Sequence, residues 1–287
     1  MGSHSHGTYL PPEEPNAVDD IDLMGFVVPP MEYHLGLPRW QHWTLQVDEL
    51  DVVLYSLEKA IRLLLKSNPN IVGLLWLRDQ EYLHRHPSFE LLRSRREIFS
   101  SQAAAEAFAG YAADQLKRME AFDLERMAEY EALTAVISTN GPVAEVLEAD
   151  TLKLKHIALN WRLELEVLNR FRKLHREHFS GYMGAKRKAM VRKYQYDVKN
   201  AAHLIRLLRM GNEFIQTGTL QVFRTTDADE LKRIKRGAWT LEQVKDEAAR
   251  LFAEVEVARA RSPLKGAPDA EAANGLLIEL HRRFLHV

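Results

Sequence analysis

Helical periodicity dominates the sequence from about Ser88 almost to the C-terminus. Apolar residues recur there every three or four positions, the spacing that places them on one face of an α-helix. Residues that end helices interrupt the pattern at Asn140-Gly141-Pro142, 181–184, Gly218, Gly237 and Ser262-Pro263. Most of the chain is therefore expected to fold as packed helices, with the sheet largely confined to about the first 56 residues.

Two short segments near the N-terminus have the pattern of β-strands. Ile21 to Val28 ends at Pro29-Pro30, and Asp51 to Tyr55 precedes Ser56, a residue suited to cap a following helix. A further short strand is predicted at 220–223, after Gly218. Together with the helical region, these segments predict an α+β fold with a small N-terminal sheet.

The composition excludes several classes of protein. The chain contains no cysteine, so disulfide scaffolds, thiolate zinc sites and cysteine nucleophiles are ruled out. No run approaches 18 consecutive apolar residues, so no membrane span is predicted, and the N-terminus lacks the pattern of a secretory signal. These features are consistent with a cytoplasmic location.

Charge is distributed unevenly along the sequence. Residues 1–50 carry eight acids against one base, whereas residues 151–210 carry 15 Lys and Arg against four acids, a net charge of +11. An acidic region suits divalent cations, and a basic region suits phosphates or nucleic acid. A solvated helical surface would have the same basic pattern.

Three aspartates lie at the starts of the two predicted strands. Asp20 and Asp22 are two residues apart, so their side chains point to the same face of a strand. Carboxylates this close repel each other, and a divalent cation such as Mg²⁺ or Mn²⁺ relieves the repulsion. Asp51 would supply a third carboxylate, and three such groups can hold two cations. Taken alone, the Asp20–Asp22 spacing also fits two turn residues before a strand.

Other polar residues fit contacts to phosphate groups. A Gly2-Ser3 turn can bring backbone N–H groups and a hydroxyl close to a triphosphate. Cationic residues that could bind phosphate are predicted in three places. Lys59 lies on the first helix, and Lys199, His203 and Arg206 lie along one polar face of a later helix. Lys186 and Arg187 follow a glycine-rich turn. Any of these residues could instead be part of a solvated surface.

Several stretches occur in order and resemble one protein family. They are Gly2-Ser3-His4-Ser5-His6-Gly7, Asp20-Ile21-Asp22-Leu23-Met24-Gly25, Tyr55-Ser56-Leu57-Glu58-Lys59, Asn68-Pro69-Asn70, Gly110-Tyr111-Ala112, Gly181-Tyr182-Met183-Gly184-Ala185-Lys186-Arg187, Tyr196-Asp197-Val198-Lys199 and His203-Leu204-Ile205-Arg206-Leu207-Leu208. This series resembles the RNA repair pathway DNA polymerase beta family, a group of nucleotidyltransferases. In the wider superfamily a strand leads into the Gly-Ser turn, but only Met1 precedes Gly2 here. Either that strand is missing, the chain starts too far downstream, or another segment takes its place.

The resemblance implies a fold and a reaction. Residues 1–87 would form the catalytic core and residues 88–287 a helical domain that completes the substrate cleft. Asp20, Asp22 and Asp51 would bind Mg²⁺ or Mn²⁺, and Gly2 with Ser3 would bind an NTP such as ATP. The acceptor is expected to be an RNA 3′ end, with a protein or a small molecule as alternatives. A catalytically weak nucleic-acid-binding protein is the alternative from another functional class.

Overall fold

The computed structural model describes residues 2–14, 16–17, 21–47, 50–120, 124–179 and 185–285. It contains a three-stranded sheet, β1 (Ile21–Val27), β2 (His42–Val47) and β3 (Leu50–Ser56), in the order β1-β3-β2. Strand β1 runs parallel to β3, and β2 runs antiparallel to β3. The α+β prediction is confirmed, and no strand is found among the described residues beyond Ser56.

Helices make up most of the remaining structure. In chain order they are α1 (Glu32–Leu35), α2 (Leu57–Leu65), α3 (Pro69–Val72), α4 (Pro87–Ser94), α5 (Ala103–Glu120), α6 (Leu124–Ser138), α7 (Val143–Glu148), α8 (Thr151–Trp161), α9 (Leu165–Leu174), α10 (Ala185–Tyr194), α11 (Val198–Thr217), α12 (Ala228–Lys235), α13 (Leu241–Arg261) and α14 (Ala270–Leu285). A π-helical turn, His175–Phe179, extends α9. No helix within the described ranges has the length and apolarity needed to cross a membrane.

Two expectations about strands require correction. Strand β2 was not predicted, although Trp43 and Leu45 alternate there with polar residues. Residues 220–223 do not form a strand. Instead, this segment is tied to the N-terminal loop by a hydrogen bond from the backbone N of Arg224 to the carbonyl oxygen of His6, 3.1 Å long. Its apolar residues are therefore buried without a sheet partner.

The chain divides into two compact units. The first combines Met1–Leu116 with Lys199–Val287, and the second is Lys117–Val198. All of residues 1–87 lie in the first unit, which also takes in residues 88–116 and 199–287. The roles expected for residues 1–87 and 88–287 remain a prediction.

Helix α11 lies at the core of the first unit. Its predicted apolar stripe, Ala201, Leu204, Ile205 and Leu208, is completely buried. Further along the helix, Phe214 packs against Trp76, with ring centroids 5.4 Å apart. Burial of four such side chains in one helix contributes several kcal/mol, at about 25 cal/mol per Å² of apolar surface. This helix therefore gives a rigid base for the polar residues on its other face.

The second unit has a separate core. It is built from α6 to α9, with Leu168 and Phe171 completely buried at its centre. The ring of Tyr130 stacks on Phe171 at 5.1 Å, and the Tyr130 hydroxyl lies 2.7 Å from His175 Nδ1. Burial lowers the pKa of His175, and the charge of Lys188 lowers it further.

Close packing between α5 and α11 gives a testable stability prediction. A Cβ added at Gly211 would lie 2.7 Å from the Cβ of Phe108, which has little freedom to move. We expect Gly211→Ala to cost about 1–3 kcal/mol of unfolding free energy through overpacking. The matched control is Gly275→Ala in α14, where a Cβ meets nothing within 4 Å and should stabilise the helix by about 0.5–1 kcal/mol. Equal melting temperatures for the two variants would contradict this close packing of Gly211 against Phe108.

Candidate active site

The sheet register brings two of the three predicted carboxylates together. Asp22 in β1 is the register partner of Asp51 in β3, and Gln46 in β2 pairs with Asp51 from the other side. Paired residues on neighbouring strands point to the same face, with Cβ atoms about 5 Å apart. Asp20, the third predicted carboxylate, lies outside the described residues. Asp22 and Asp51 are therefore neighbours at the N-terminal ends of two parallel strands.

The N-terminal loop, residues 2–8, forms a closed turn. The backbone N of Thr8 donates to the carbonyl oxygen of Ser3 at 2.9 Å, and that of Gly7 donates to His4 at 3.0 Å. Gly7 has a φ of +69°, and a Cβ there would lie 3.0 Å from the ring of Phe223. A residue with a side chain would be strained at this position. The glycine thus permits both the turn and its close contact with the segment 220–224.

Buried polar residues hold this loop in place. His6 and Thr8 are almost completely buried. His6 Nδ1 lies 3.1 Å from the carbonyl oxygen of Val222 and 3.2 Å from Arg206 Nη1. Burial lowers the pKa of His6 well below its usual value, and the positive charge of Arg206 adds to the effect. His6 is therefore neutral near pH 7, and it joins the loop to α11.

Gly2 packs directly against one of the carboxylates. A Cβ added at Gly2 would overlap Asp22 Oδ2 and lie 3.3 Å from Asp22 Cγ. The Gly2-Ser3 turn and the Asp22 carboxylate are thus adjacent, although 19 residues separate Gly2 from Asp22 in the sequence. The turn predicted to bind phosphate and a carboxylate predicted to bind metal are therefore in contact.

The Gly2 contact leads to a prediction about function. We expect Gly2→Ala to push the Asp22 carboxylate or the loop aside, and to reduce Mg²⁺-dependent NTP binding by about 10-fold or more, as for displaced metal-site residues. The melting temperature should change little because Gly2 is not in a packed core. Gly266→Ala is the matched control, since a Cβ there meets nothing within 4 Å. Unchanged NTP affinity in Gly2→Ala would show that the contact has no part in binding.

A large chamber opens beside β1. It has a volume of about 670 Å³, and its walls come from the N-terminal loop, β1, the segment 74–92 and the last helix. Gly2, Ser3 and Asp22 form its polar end. Aromatic rings line another part of the chamber, where the ring centroid of Phe89 lies 6.3 Å from that of Phe26 and 5.2 Å from that of Tyr82. Its size fits a nucleotide, and its aromatic wall is suited to a planar base.

The predicted cationic face of α11 points towards the N-terminal loop. Lys199 lines a small cavity together with Ser3, and Arg206 contacts His6. Arg206 is not the solvent-facing residue that its helical position predicts, because it is largely enclosed by the loop. Burial and the positive charge of Arg224 lower the pKa of Arg206 to about 9, while Asp227 acts in the opposite direction. His203 lies one turn before Arg206 on the same face.

Lys59, another predicted cation, is not brought to the carboxylates. Lys59 lies near the start of α2, beyond the opposite end of β3 from Asp51. Lys186 and Arg187 lie in α10 of the second unit, and their side chains are outside the described part of the structure. Their predicted contacts with nucleotide or nucleic acid remain predictions.

Acids elsewhere in the chain neutralise part of the basic segment 151–210. Arg170 pairs with Glu129, and Arg192 pairs with Glu131. Arg209 has three acidic partners, of which Glu247 is one. The net charge of the segment therefore overstates the positive field of the folded protein.

One residue near the loop was not singled out from the sequence. Lys235, the last residue of α12, donates from Nζ to the carbonyl oxygen of Thr8 at 2.7 Å and contacts the Thr8 hydroxyl at 3.1 Å. It is one of several cations in a charged helix, so no local pattern distinguishes it. Only its contact across 227 positions of sequence shows where it lies.

Among the residues that the structure describes, no group of three His, Cys, Asp or Glu side chains is placed to hold a metal ion. The two described carboxylates, Asp22 and Asp51, nevertheless fit a hard divalent cation. Both supply oxygen ligands from adjacent register positions, Asp22 being exposed and Asp51 half-buried. Such a pair takes Mg²⁺ or Mn²⁺ in preference to softer metals.

Comparisons with known proteins bear on the same region. No curated protein and no solved structure gave a significant match to the chain. A family model does match residues 1–131, which contain the loop, the sheet and both carboxylates. The motifs from Gly181 onward lie outside that match. The matching family points to a polymerase-beta-like nucleotidyltransferase in RNA repair. The resemblance to the RNA repair pathway DNA polymerase beta family is thus confirmed over residues 1–131.

Proposed function

We propose that the protein is a Mg²⁺-dependent nucleotidyltransferase that uses an NTP such as ATP as its donor. One observation carries the proposal: Asp22 and Asp51 are register partners on one face, and Gly2 of the Gly-Ser turn packs against Asp22. A carboxylate pair beside a phosphate-binding turn is the combination that nucleotidyl transfer requires. The family match over residues 1–131 supports the same reaction.

In this reaction an acceptor hydroxyl, which would lose its proton to solvent with the help of Asp51, attacks the α-phosphorus of the NTP. A new P–O bond forms, the bond from the α-phosphorus to its bridging oxygen breaks, and pyrophosphate leaves. Asp22 and Asp51, with Asp20, would hold the divalent cation, which when bound lowers the pKa of the acceptor hydroxyl and neutralises charge on the leaving group. The Gly2-Ser3 turn would position the β- and γ-phosphates, and the aromatic wall of the chamber would hold the base.

For the acceptor we propose an RNA 3′ end. The supporting observation is the basic segment 151–210, which retains exposed cations such as Lys173 and Lys193 even after its ion pairs are taken into account. RNA phosphates near an acidic site need positive charge in their approach. A small-molecule acceptor needs no such charge, and a protein acceptor more often needs apolar or aromatic anchors.

The test uses each labelled NTP in turn, with Mg²⁺ and a mixed RNA pool, and asks which species becomes labelled. Labelled RNA supports the proposed acceptor, whereas labelled protein or a labelled small molecule supports one of the alternatives. RNA binding at several salt concentrations gives an independent readout, with a slope of about −0.7 in log affinity against log salt for each phosphate neutralised on a single strand. RNA binding without release of pyrophosphate would favour a nucleic-acid-binding protein.

A further inference from the structure

The end of α12 is tied to the segment that joins the N-terminal loop to β1. Lys235 binds Thr8 through both the carbonyl oxygen and the hydroxyl. Asn16 Nδ2 donates to the carbonyl oxygen of Lys235 at 2.9 Å, and Arg236 pairs with Glu14 through two hydrogen bonds. These contacts fix the Lys235 ammonium group against Thr8, at the end of the N-terminal loop.

A small cavity lies beside Lys235. Lys235, Lys199, Ser3, Leu10 and Asn16 line it, and its volume is about 10 Å³. That is about the space of one water molecule, or of one phosphate oxygen. Ser3 lines both this cavity and the chamber beside Asp22. A phosphate group at Ser3 can therefore direct one oxygen towards two lysines.

Lys235 and Arg206 place two largely enclosed positive charges against the N-terminal loop. Neither Lys235 nor Arg206 forms an ion pair with a carboxylate in the described part of the chain, whereas neighbouring Arg209 and Arg224 are paired with Asp227 and other acids. Burial, together with the charges of Arg206, Lys199 and Lys232, lowers the pKa of Lys235 to about 7. Enclosed cations that repel one another are costly to maintain, and a bound anion would remove that cost.

We propose that Lys235, together with Lys199 and the Ser3 hydroxyl, binds the terminal phosphate of the nucleotide donor. This assignment rests on the proposed function and adds a residue outside the family match, from a helix that the sequence did not connect with the site. The ligand class is a polyphosphate, either the triphosphate tail of an NTP or free pyrophosphate. Ser3 lines the chamber with Asp22 and the small cavity with the two lysines, so the triphosphate would extend from the carboxylates past Ser3 to the lysines.

Calorimetric titration of the full chain with pyrophosphate tests the proposal directly. We expect Lys235→Ala to weaken pyrophosphate binding by about 10-fold or more, the usual effect of losing a charge-assisted hydrogen bond. The matched control is Lys232→Ala on the same helix, which removes a lysine paired with the exposed Asp229 and should change affinity by less than about 3-fold. Equal affinities for the two variants would overturn the proposal.

The pH dependence provides a second test. A protonated Lys235 binds the anion, so pyrophosphate affinity should fall as the pH rises through about 7. Lys235→Arg keeps its charge and should remove this part of the dependence. Pyrophosphate, His6 and His203 are the same in both proteins, so the difference between the two profiles isolates Lys235. Identical profiles would overturn the proposal, and this test stands even if Lys235→Ala fails to fold.

Two further measurements separate binding from other roles. Thr8→Val removes the hydroxyl contact but keeps the carbonyl, and it should leave pyrophosphate affinity within about 2-fold if Lys235 acts on the ligand. A loss as large as that of Lys235→Ala would mean that Lys235 only positions the loop, which overturns the proposal. If pyrophosphate binds through Lys235 but no NTP is transferred, the proposed function fails while this site stands. If the wild-type protein transfers the nucleotide but Lys235→Ala binds pyrophosphate as tightly as the wild type, the proposed function stands and this site is overturned.

Discussion

Asp22→Asn is expected to lower the rate of nucleotidyl transfer by about 10³-fold or more, because a neutral amide replaces a carboxylate that holds the catalytic cation. The substitution preserves shape, and Asp22 is exposed, so the melting temperature should stay nearly constant. Asp51→Asn should have a similar effect. The measurement is pyrophosphate release with Mg²⁺ and an NTP, made alongside Mg²⁺-dependent NTP binding.

The double variant and a control make this prediction specific. Asp22 and Asp51 are register partners that would hold the same cations, so the double variant should lose little more activity than either single one. Asp114→Asn removes an exposed carboxylate from α5 and should leave the rate unchanged. If Asp22→Asn retains more than about a tenth of the wild-type rate, the carboxylate pair is not the metal site.

Arg224→Met is expected to destabilise the first unit by about 3 kcal/mol, because Glu213 loses its partner and the largely buried Asp227 keeps only Arg209. Only 1% of the Arg224 side chain is exposed, and its guanidinium group binds Glu213 and Asp227. Methionine keeps much of the apolar volume, so the loss measures mainly the missing charge. In a unit of this size the melting temperature should fall by roughly 10 °C.

The control for Arg224 is an exposed arginine with a similar number of acidic partners. Arg250 in α13 pairs with Glu247 and Glu254, and 54% of its side chain is exposed. Arg250→Met should cost less than about 1 kcal/mol, as exposed ion pairs do. Equal destabilisation by the two variants would contradict the difference in burial that the structure gives them.

The cost of Arg224→Met should also depend on pH. The Arg224 guanidinium, followed by that of Arg209, holds the pKa of Asp227 below its usual value, against the effect of burial. A lowered carboxyl pKa in the folded state stabilises the protein above the unfolded pKa, and that contribution is lost as the pH falls below about 4. The difference in stability between wild type and variant should therefore be largest near neutral pH and shrink in acid.

Local patterns were enough to predict the individual elements of the fold. The apolar pattern of Ile21–Val27 predicted strand β1, and Ser56 predicted the start of α2. The apolar stripe of α11 predicted its buried face. Strand β2 was missed because Trp43 and Leu45, the apolar residues that alternate there, form only a short pattern after a proline-rich stretch. The segment 220–223 looked like a strand because buried apolar residues have the same pattern with or without a sheet partner.

Relations between distant residues could only be partly anticipated. The Asp20–Asp22 spacing suggested a metal site, but the pairing of Asp22 with Asp51 depends on strand register, which nothing local to either residue fixes. The burial of Arg206 could not be foreseen, since it results from contact with His6 two hundred positions away. Lys235 gave no signal at all, because a lysine that ends a charged helix is usually solvated.

The most direct test of the central claim is pyrophosphate release by the wild-type protein, with each of the four common NTPs, in the presence of Mg²⁺ and RNA. The carboxylate pair beside the Gly-Ser turn predicts release with at least one NTP, its abolition by EDTA and its recovery when Mg²⁺ or Mn²⁺ is restored. Release that persists in EDTA, or no release with any NTP in a protein that binds RNA, would contradict the claim that Asp22 and Asp51 serve metal-dependent nucleotidyl transfer.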